Sequence, residues 1–303
     1  MLTTSLVLAL SAAASATTLF VSSYAGNITS LSLSAINGTY NLTDTFFNDQ
    51  CAPNPSWLTI DANRGLLFCL NEGLESVNGS LSSFIINGDG SLNHVKNAST
   101  ISGPVSGVIY GAAAGRRAIA LSHYTGSALS SYYLDGSGQF HLNEEFTFTL
   151  SQPGAVPARQ DAPHEHEAIT DPTGQYILVP DLGADLVRVY AIDPVTLKLT
   201  AKDPLKVPAG SGPRHAAFYN PYSVACEGCT TYFYLVTELA STVIGYSVTY
   251  LPNAGGLSFQ LIQEQSTLGL LNYERINAPA EIHVSVSLQH SQDHIHLRLL
   301  TNP

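Results

Sequence analysis

The sequence predicts an all-β chain assembled from a repeated sheet unit, and three observations carry that expectation. Short runs enriched in aromatic and β-branched residues recur along the chain, Gly, Asn, Asp or Pro turns divide them, and no long segment shows an apolar period of three to four residues. The runs are, in order, Leu19 to Ser23, Trp57 to Ile60, Leu66 to Leu70, Leu81 to Ile86, Ala118 to Ser122 and Ala128 to Leu134. Ala168 to Thr170, Tyr176 to Pro180, Leu186 to Ile192, Ala216 to Phe218, Tyr232 to Thr237, Thr242 to Thr249 and Ile282 to Ser285 continue the series. Short antiparallel strands joined by tight turns are the expected elements.

The runs repeat in order. Ile169 to Val179 reads strand, turn, strand around Asp171-Pro172-Thr173-Gly174, and Asp181-Leu182-Gly183 then leads to Leu186-Val187-Arg188-Val189-Tyr190. The same phrase occurs at Leu58 to Phe68, followed by Ser80 to Ile86, and returns with altered turns near Gly107 to Leu121 and from Arg214 to Val236. A unit of about 50 residues matches one four-stranded propeller blade. Such a sheet cannot shield both of its faces, so neighbours must pack on it around a common axis. Gly65 and Gly174 fall where short hairpins need positive φ. A β-sandwich with several hairpins is the alternative reading.

Ahead of the first run, Leu6 to Ala14 is uncharged and rich in Leu and Ala, and Ala14-Ser15-Ala16 has the small-x-small form of a signal-peptidase site. Residues 1–16 are therefore expected to be an export signal, residues 17–285 the β domain, and residues 286–303 a divergent tail without turn-delimited alternation. Asn27, Asn37, Asn41, Asn78 and Asn97 each open an N-glycosylation sequon, which would require water-facing loops in a secreted or surface protein. No later stretch reaches the roughly 18 apolar residues of a membrane span. Only 12% of residues are charged, and the net charge of -11 argues against nucleic acid or an anionic membrane as partner. Cys51, Cys69, Cys226 and Cys229 allow three complete pairings; linear distance favours Cys51 with Cys69 and Cys226 with Cys229, with unpaired thiols or half a zinc site as alternatives.

Against so few charges, four phrases stand out: Asp161-Ala162-Pro163-His164-Glu165-His166-Glu167, Gly212-Pro213-Arg214-His215, Thr237-Glu238-Leu239 and Ala280-Glu281-Ile282-His283. In a propeller, matching positions of successive blades converge on the axial channel, so these distant phrases can share a pocket. His and a tuned Glu exchange protons, and Arg holds a carboxylate through two charge-assisted hydrogen bonds. Each has a structural alternative: Arg214 pairing an acidic neighbour, His215 serving a backbone carbonyl, Glu238 orienting a loop. His164 and His166 alternate as on one strand face with Glu165 and Glu167 on the other, which makes no three-ligand metal set. No cofactor is expected.

These phrases, with Pro180-Asp181-Leu182-Gly183-Ala184-Asp185, resemble the seven-bladed-propeller lactonase family, which includes bacterial 6-phosphogluconolactonases and fungal carboxy-cis,cis-muconate cyclases. The resemblance spans roughly residues 18 to 285 and implies a lactonase-type propeller. In the cyclase branch the functional set is a His, two Arg and a Glu. Three of these carry over to His164 or His166, Arg214 and Glu238; the second Arg, beyond the Ala-Glu-Ile phrase, has no counterpart, and Arg298 lies in a different phrase. The chain departs from the family at Val286, so about five blades and part of a sixth are expected, with strand edges open to self-association. The resemblance implies lactone opening or its reverse on a small anionic or carboxylated substrate. The alternatives are a noncatalytic secreted or surface glycoprotein and an inactive truncated member. Export and the missing Arg both weigh against a purely metabolic role.

Overall fold

The apolar runs become strands, and β-strands at Leu66–Asn71, Arg117–His123 and Tyr176–Asp181 are buried along their whole length. The computed structural model describes residues 16–112, 115–220, 230–268, 278–285 and 296–301. Among them there is no α-helix, only one 3-10 turn at Pro252–Ala254, and no helix able to cross a membrane.

Six antiparallel sheets follow one another in chain order. The first has three strands, β1 (Thr17–Ser23), β2 (Asn27–Ile36) and β3 (Thr39–Asn48). The second contains β4 (Pro55–Asp61), β5 (Leu66–Asn71), β6 (Ser80–Ile86) and β7 (Leu92–Ser99). The third contains β8 (Pro104–Gly111), β9 (Arg117–His123), β10 (Ala128–Leu134) and β11 (Phe140–Thr147). In the fourth are β12 (Ile169–Thr170), β13 (Tyr176–Asp181), β14 (Leu186–Ile192) and β15 (Leu199–Lys206). The fifth comprises β16 (Pro213–Tyr219), β17 (Thr231–Thr237), β18 (Thr242–Tyr250) and β19 (Leu257–Ser266); the sixth pairs β20 (Pro279–Ser285) with β21 (His296–Thr301). Four blades are thus four-stranded, in keeping with an incomplete propeller of five to six blades. β21 lies within the segment expected to lack strand pattern; His296-Leu297-Arg298-Leu299 does alternate polar and apolar residues, over too short a run to stand out.

Face-to-face packing of successive sheets explains why the second strands read as unbroken apolar runs. Every residue of β5, β9 and β13 is buried. Along β5, Leu67 and Cys69 pack with Ile28 of the first sheet, whereas Leu66, Phe68 and Leu70 pack with Ile119 and Leu121 of the third. Ala118 and Ala120 meet Ile177 and Val179; Tyr176 and Leu178 meet Phe233 and Leu235; Tyr234 and Val236 meet Ile282. The first strands run side by side, β1 against β4, β4 against β8, β8 against β12 and β16 against β20, and so form the inner wall. Gly65 and Gly174 turn with φ of +62° and +68°, as their hairpins require.

Cys51 and Cys69 are disulfide-bonded and buried between the first two sheets. Cys226 and Cys229 lie outside the described residues. Of the sequon asparagines, Asn37, Asn41, Asn78 and Asn97 are exposed and Asn27 is half-buried. The first sheet also turns apolar side chains outward, with Leu42 54% and Phe47 68% exposed.

Candidate functional site

A repeated backbone feature builds the site. Pro55, Pro104, Pro213 and Pro279 open β4, β8, β16 and β20, where the missing N–H leaves no ladder bond to lose. Directly after each, the register with the neighbouring strand slips, between Pro55 and Trp57, Pro104 and Ser106, Pro213 and Ala216, and Pro279 and Glu281. Such slips re-aim side chains. Ser56 and Trp57, Val105, Arg214 and His215, and Ala280 and Glu281 all line one pocket of about 550 Å³. The fourth sheet contributes the residues after Pro163, held by a single bridge from Glu165 to Asp181 rather than by a strand. Tyr24, Glu72, Tyr124 and Arg159 complete the lining along with His166.

His166 and His164 part company here. His166 lines the pocket, its ring edge-on to Tyr124 at 5.4 Å and to His215 at 5.0 Å. Burial, His215 and the guanidinium of Arg214 hold it well below the usual histidine range, so it is neutral at physiological pH. His164 instead stacks flat on Tyr124 at 4.3 Å, with Nδ1 2.9 Å from the Tyr124 carbonyl and Nε2 3.2 Å from Asp161. Oxygen acceptors occupy both of its ring nitrogens. The other two carboxylates of this phrase are committed elsewhere. Glu165 shares Arg188 with Asp181, and Glu167 accepts the backbone N–H of Ala216 at 2.6 Å.

His215 places Nε2 3.2 Å from Nδ1 of His166 and Nδ1 2.9 Å from Glu281. The Glu281 carboxyl is raised by burial, but the hydrogen bond and charge of His215 outweigh this and bring it below the usual range.

Glu238 sits at the end of β17, 4% exposed, behind the lining rather than in it. Its carboxylate is bound on one oxygen by Arg214 Nη1 and on the other by Arg159 Nη2 at 2.6 Å. Arg214 Nε also donates to the Ala280 carbonyl at 3.0 Å. Arg214 therefore ties the fifth sheet to the sixth as well as facing the pocket. Arg159 was not legible as a site residue, because its loop carries no repeated phrase. It nonetheless gives the pocket a second cation from a different part of the chain than the family's Arg. Tyr24 donates to Glu72 across the first two sheets, and Ser56 Oγ is buried without a hydrogen-bond partner among the described residues. Among the described residues no group of three His, Cys, Asp or Glu converges at metal-binding distance.

Comparison with known proteins places the chain in a family. Residues 18–290 match the model for the lactonase, 7-bladed β-propeller family. An Arthroderma benhamiae protein named "Probable 6-phosphogluconolactonase" is 32% identical over 271 residues, covering 89% of this chain and 64% of its own length. A Formosa agariphila 6-phosphogluconolactonase is 27% identical over 198 residues, covering 64% of this chain and 53% of its own. The chain thus spans less than two thirds of these relatives. The periplasmic gluconolactonase of Pseudomonas aeruginosa superposes with a TM-score of 0.70 at 22% identity, over 89% of this chain and 73% of that one. At that identity the structural likeness speaks for the fold, and the family follows from the sequence match: the chain belongs to the seven-bladed β-propeller lactonase family.

Proposed function

We propose that the protein is a lactonase for a small carboxylated or otherwise anionic lactone, with His166 as general base and Arg214 and Arg159 as the anion-binding pair. One observation carries the reading: a neutral histidine and two guanidiniums face the same pocket of about 550 Å³, a volume suited to a small molecule. In ring opening, a water gives a proton to His166 as its oxygen bonds to the lactone carbonyl carbon. The ring C–O bond then breaks, and the departing alkoxide takes a proton, so that lactone plus water gives a hydroxy acid. Arg214 and Arg159 hold the substrate anion or the developing oxyanion by charge-assisted hydrogen bonds. That anion competes with Glu238 for the two guanidiniums, which gives Glu238 the role of setting their position and avidity. Lactonisation of a muconate would be a separate reaction at the same pocket, in which a carboxylate oxygen bonds to one alkene carbon, the C=C π bond breaks and the neighbouring carbon takes a proton, with the two guanidiniums again holding the substrate anion. The family membership and the 6-phosphogluconolactonase names of its relatives support the ring-opening direction.

The test is a pH-stat assay over carboxylated, phosphorylated and neutral lactones, with a muconate assayed separately for cycloisomerisation. Turnover is expected for an anionic lactone, and His166→Gln should lower kcat by about 10²- to 10⁴-fold, the range of a lost general base. Absence of turnover in folded protein, or full activity in His166→Gln, refutes the assignment.

Export and N-glycosylation are proposed alongside it. Support comes from the water exposure of Asn37, Asn41, Asn78 and Asn97 and from the Cys51–Cys69 disulfide, which persists in oxidising compartments. A mature N-terminus at Thr17 and a mass loss on N-glycosidase treatment are the expected results.

A further inference from the structure

The reaction as proposed makes no use of His215 or Glu281, yet both line the pocket, His215 in contact with its base and Glu281 in contact with His215. A carboxylate only accepts hydrogen bonds, so His215 Nδ1, 2.9 Å from Glu281, must carry a proton. In the uncharged form of His215 the Nε2 lone pair faces His166 Nδ1, 3.2 Å away, and in that form His166 Nδ1 carries the proton between them. His166 Nε2 is left with the lone pair. One carboxylate fixes the tautomers of two rings.

We infer that His166, His215 and Glu281 form a proton relay, in which capture of a proton at His166 Nε2 drives transfer of the His166 Nδ1 proton to His215 Nε2. One N–H bond forms at His166 Nε2, one breaks at Nδ1 and one forms at His215 Nε2, so a single positive charge moves one ring back and nothing is oxidised or reduced. The reverse transfer returns the proton to the departing alkoxide. The inference rests on the lactonase reading for the step it serves.

The charges around the two rings explain the direction. Arg214 and Arg159 face His166, and both oppose a cation there. Glu281 and the buried Glu167 act on His215 instead, and both attract positive charge. His283 Nε2 lies 3.8 Å from Glu281 Oε1, at the exposed rim, and Tyr124 contributes its ring edge to His166. Glu281 is fixed from its own strand, Oε1 accepting the Ile282 N–H at 3.0 Å, and His215 is braced edge-on by Trp57 at 5.8 Å. His215 and Glu281 are thus positioning residues that act through His166.

Two readouts test the relay. With ¹⁵N-histidine-labelled protein at neutral pH, NMR should find His166 and His215 both protonated at Nδ1, with His166 Nε2 bare. Glu281→Gln should disturb the His215 tautomer, because an amide donates as well as accepts, while Glu281→Asp should restore it. In the assay, Glu281→Gln should lower kcat on the order of 10²-fold or more with little change in KM, and move the acid limb of the pH profile to lower pH. A purely structural Glu281 would leave that limb in place. Protonation of His166 at Nε2, or tautomers unchanged by Glu281→Gln, overturns the relay. The NMR result needs no substrate, so failure to find a lactone leaves the relay tested; turnover with an unmoved limb sinks the relay alone.

Discussion

Arg214→Ala separates what the site does from what holds it. The guanidinium is 17% exposed and binds a Glu238 carboxylate that is 4% exposed, so its loss leaves a buried charge short of a partner. Breaking a fully buried pair from one side costs about 3–5 kcal/mol. Arg159 remains on the other Glu238 oxygen at 2.6 Å, but it is 43% exposed and correspondingly screened, which brings the expectation to about 2 kcal/mol. For a domain of this size that is a fall in Tm of roughly 4–8 °C. Adding Glu238→Gln removes the stranded charge and should recover part of the loss, giving a coupling of about 1 kcal/mol or more in the double-mutant cycle. Activity falls on a separate scale: a lost charge-assisted contact of about 1.5–3 kcal/mol lowers kcat/KM by roughly 10- to 150-fold. Arg214→Lys should recover the charge without the two-pronged geometry, and so only part of the activity. The experiment is thermal unfolding of both single variants and the double, with kcat/KM on any lactone the wild type turns over. Additive Tm changes would show that Arg214 and Glu238 are not coupled as the structure requires, and an unchanged kcat/KM would remove Arg214 from the site.

Replacing Cys51 and Cys69 together by Ser opens a loop closed over a separation of 18 residues and should cost about 3 kcal/mol, read as a lower urea midpoint; an unchanged midpoint would contradict the buried disulfide. Stability should fall as pH rises from 7 to 9. Burial and Asp181 raise Glu165 to about 9, and burial raises Glu167 to about 7, from an ordinary value of 4.5, so over that window the folded chain holds protons the unfolded chain has released. Glu165→Gln should flatten the slope, and a wild-type Tm that is level from pH 7 to 9 would refute the assignment. Below pH 6.5 the sign for His123 is opposite: burial lowers it to about 4, the unfolded chain takes up the proton first, and stability is lost as pH falls. Gly183→Ala would put a Cβ 1.8 Å from the Ala162 carbonyl and 3.1 Å from the His164 ring. It should lower Tm by displacing the loop that carries His164 and His166, at a cost of about 1–3 kcal/mol; an unshifted Tm would mean that the loop yields freely.

The second strands of the sheets were legible in the sequence and the fourth strands were not. β5, β9 and β13 are buried on both faces and therefore announce themselves as apolar runs. β7, β11, β15 and β19 are the fourth strands, half exposed and written in Asn, Lys, Glu and Gln, as in Leu92-Asn93-His94-Val95-Lys96-Asn97. Each also joins its partner through a shifted register, which breaks the strict alternation a strand search looks for. Charged residues are so scarce that the phrases containing His166, Arg214, Glu238 and Glu281 stood out, but partnership did not. His166 and His215 are 49 residues apart and His215 and Glu281 are 66 apart, so their contact exists only once the sheets close side by side. Arg159 left no local trace for the same reason: a single charge in a Pro, Ala and Gly loop acquires meaning from Glu238, 79 residues away.

The repeat explains why a pocket forms where it does, and the departures from repetition explain its chemistry. A Pro followed by a register slip recurs at the start of β4, β8, β16 and β20, and each copy delivers its next residues to the inner wall. Had the copies stayed identical, the wall would be a ring of like side chains. Instead the second and third sheets deliver Ser56, Trp57 and Val105, the fifth delivers Arg214 and His215, and the sixth Ala280 and Glu281. Cation and carboxylate therefore come from two copies of one backbone feature, Arg214 from the fifth sheet and Glu281 from the sixth, while the base, His166, comes from the bridged segment of the fourth. A substitution that keeps the Pro and the slip should change what this site recognises while sparing the sheet around it. Loss of the Pro or the slip, by contrast, disturbs aim and fold together.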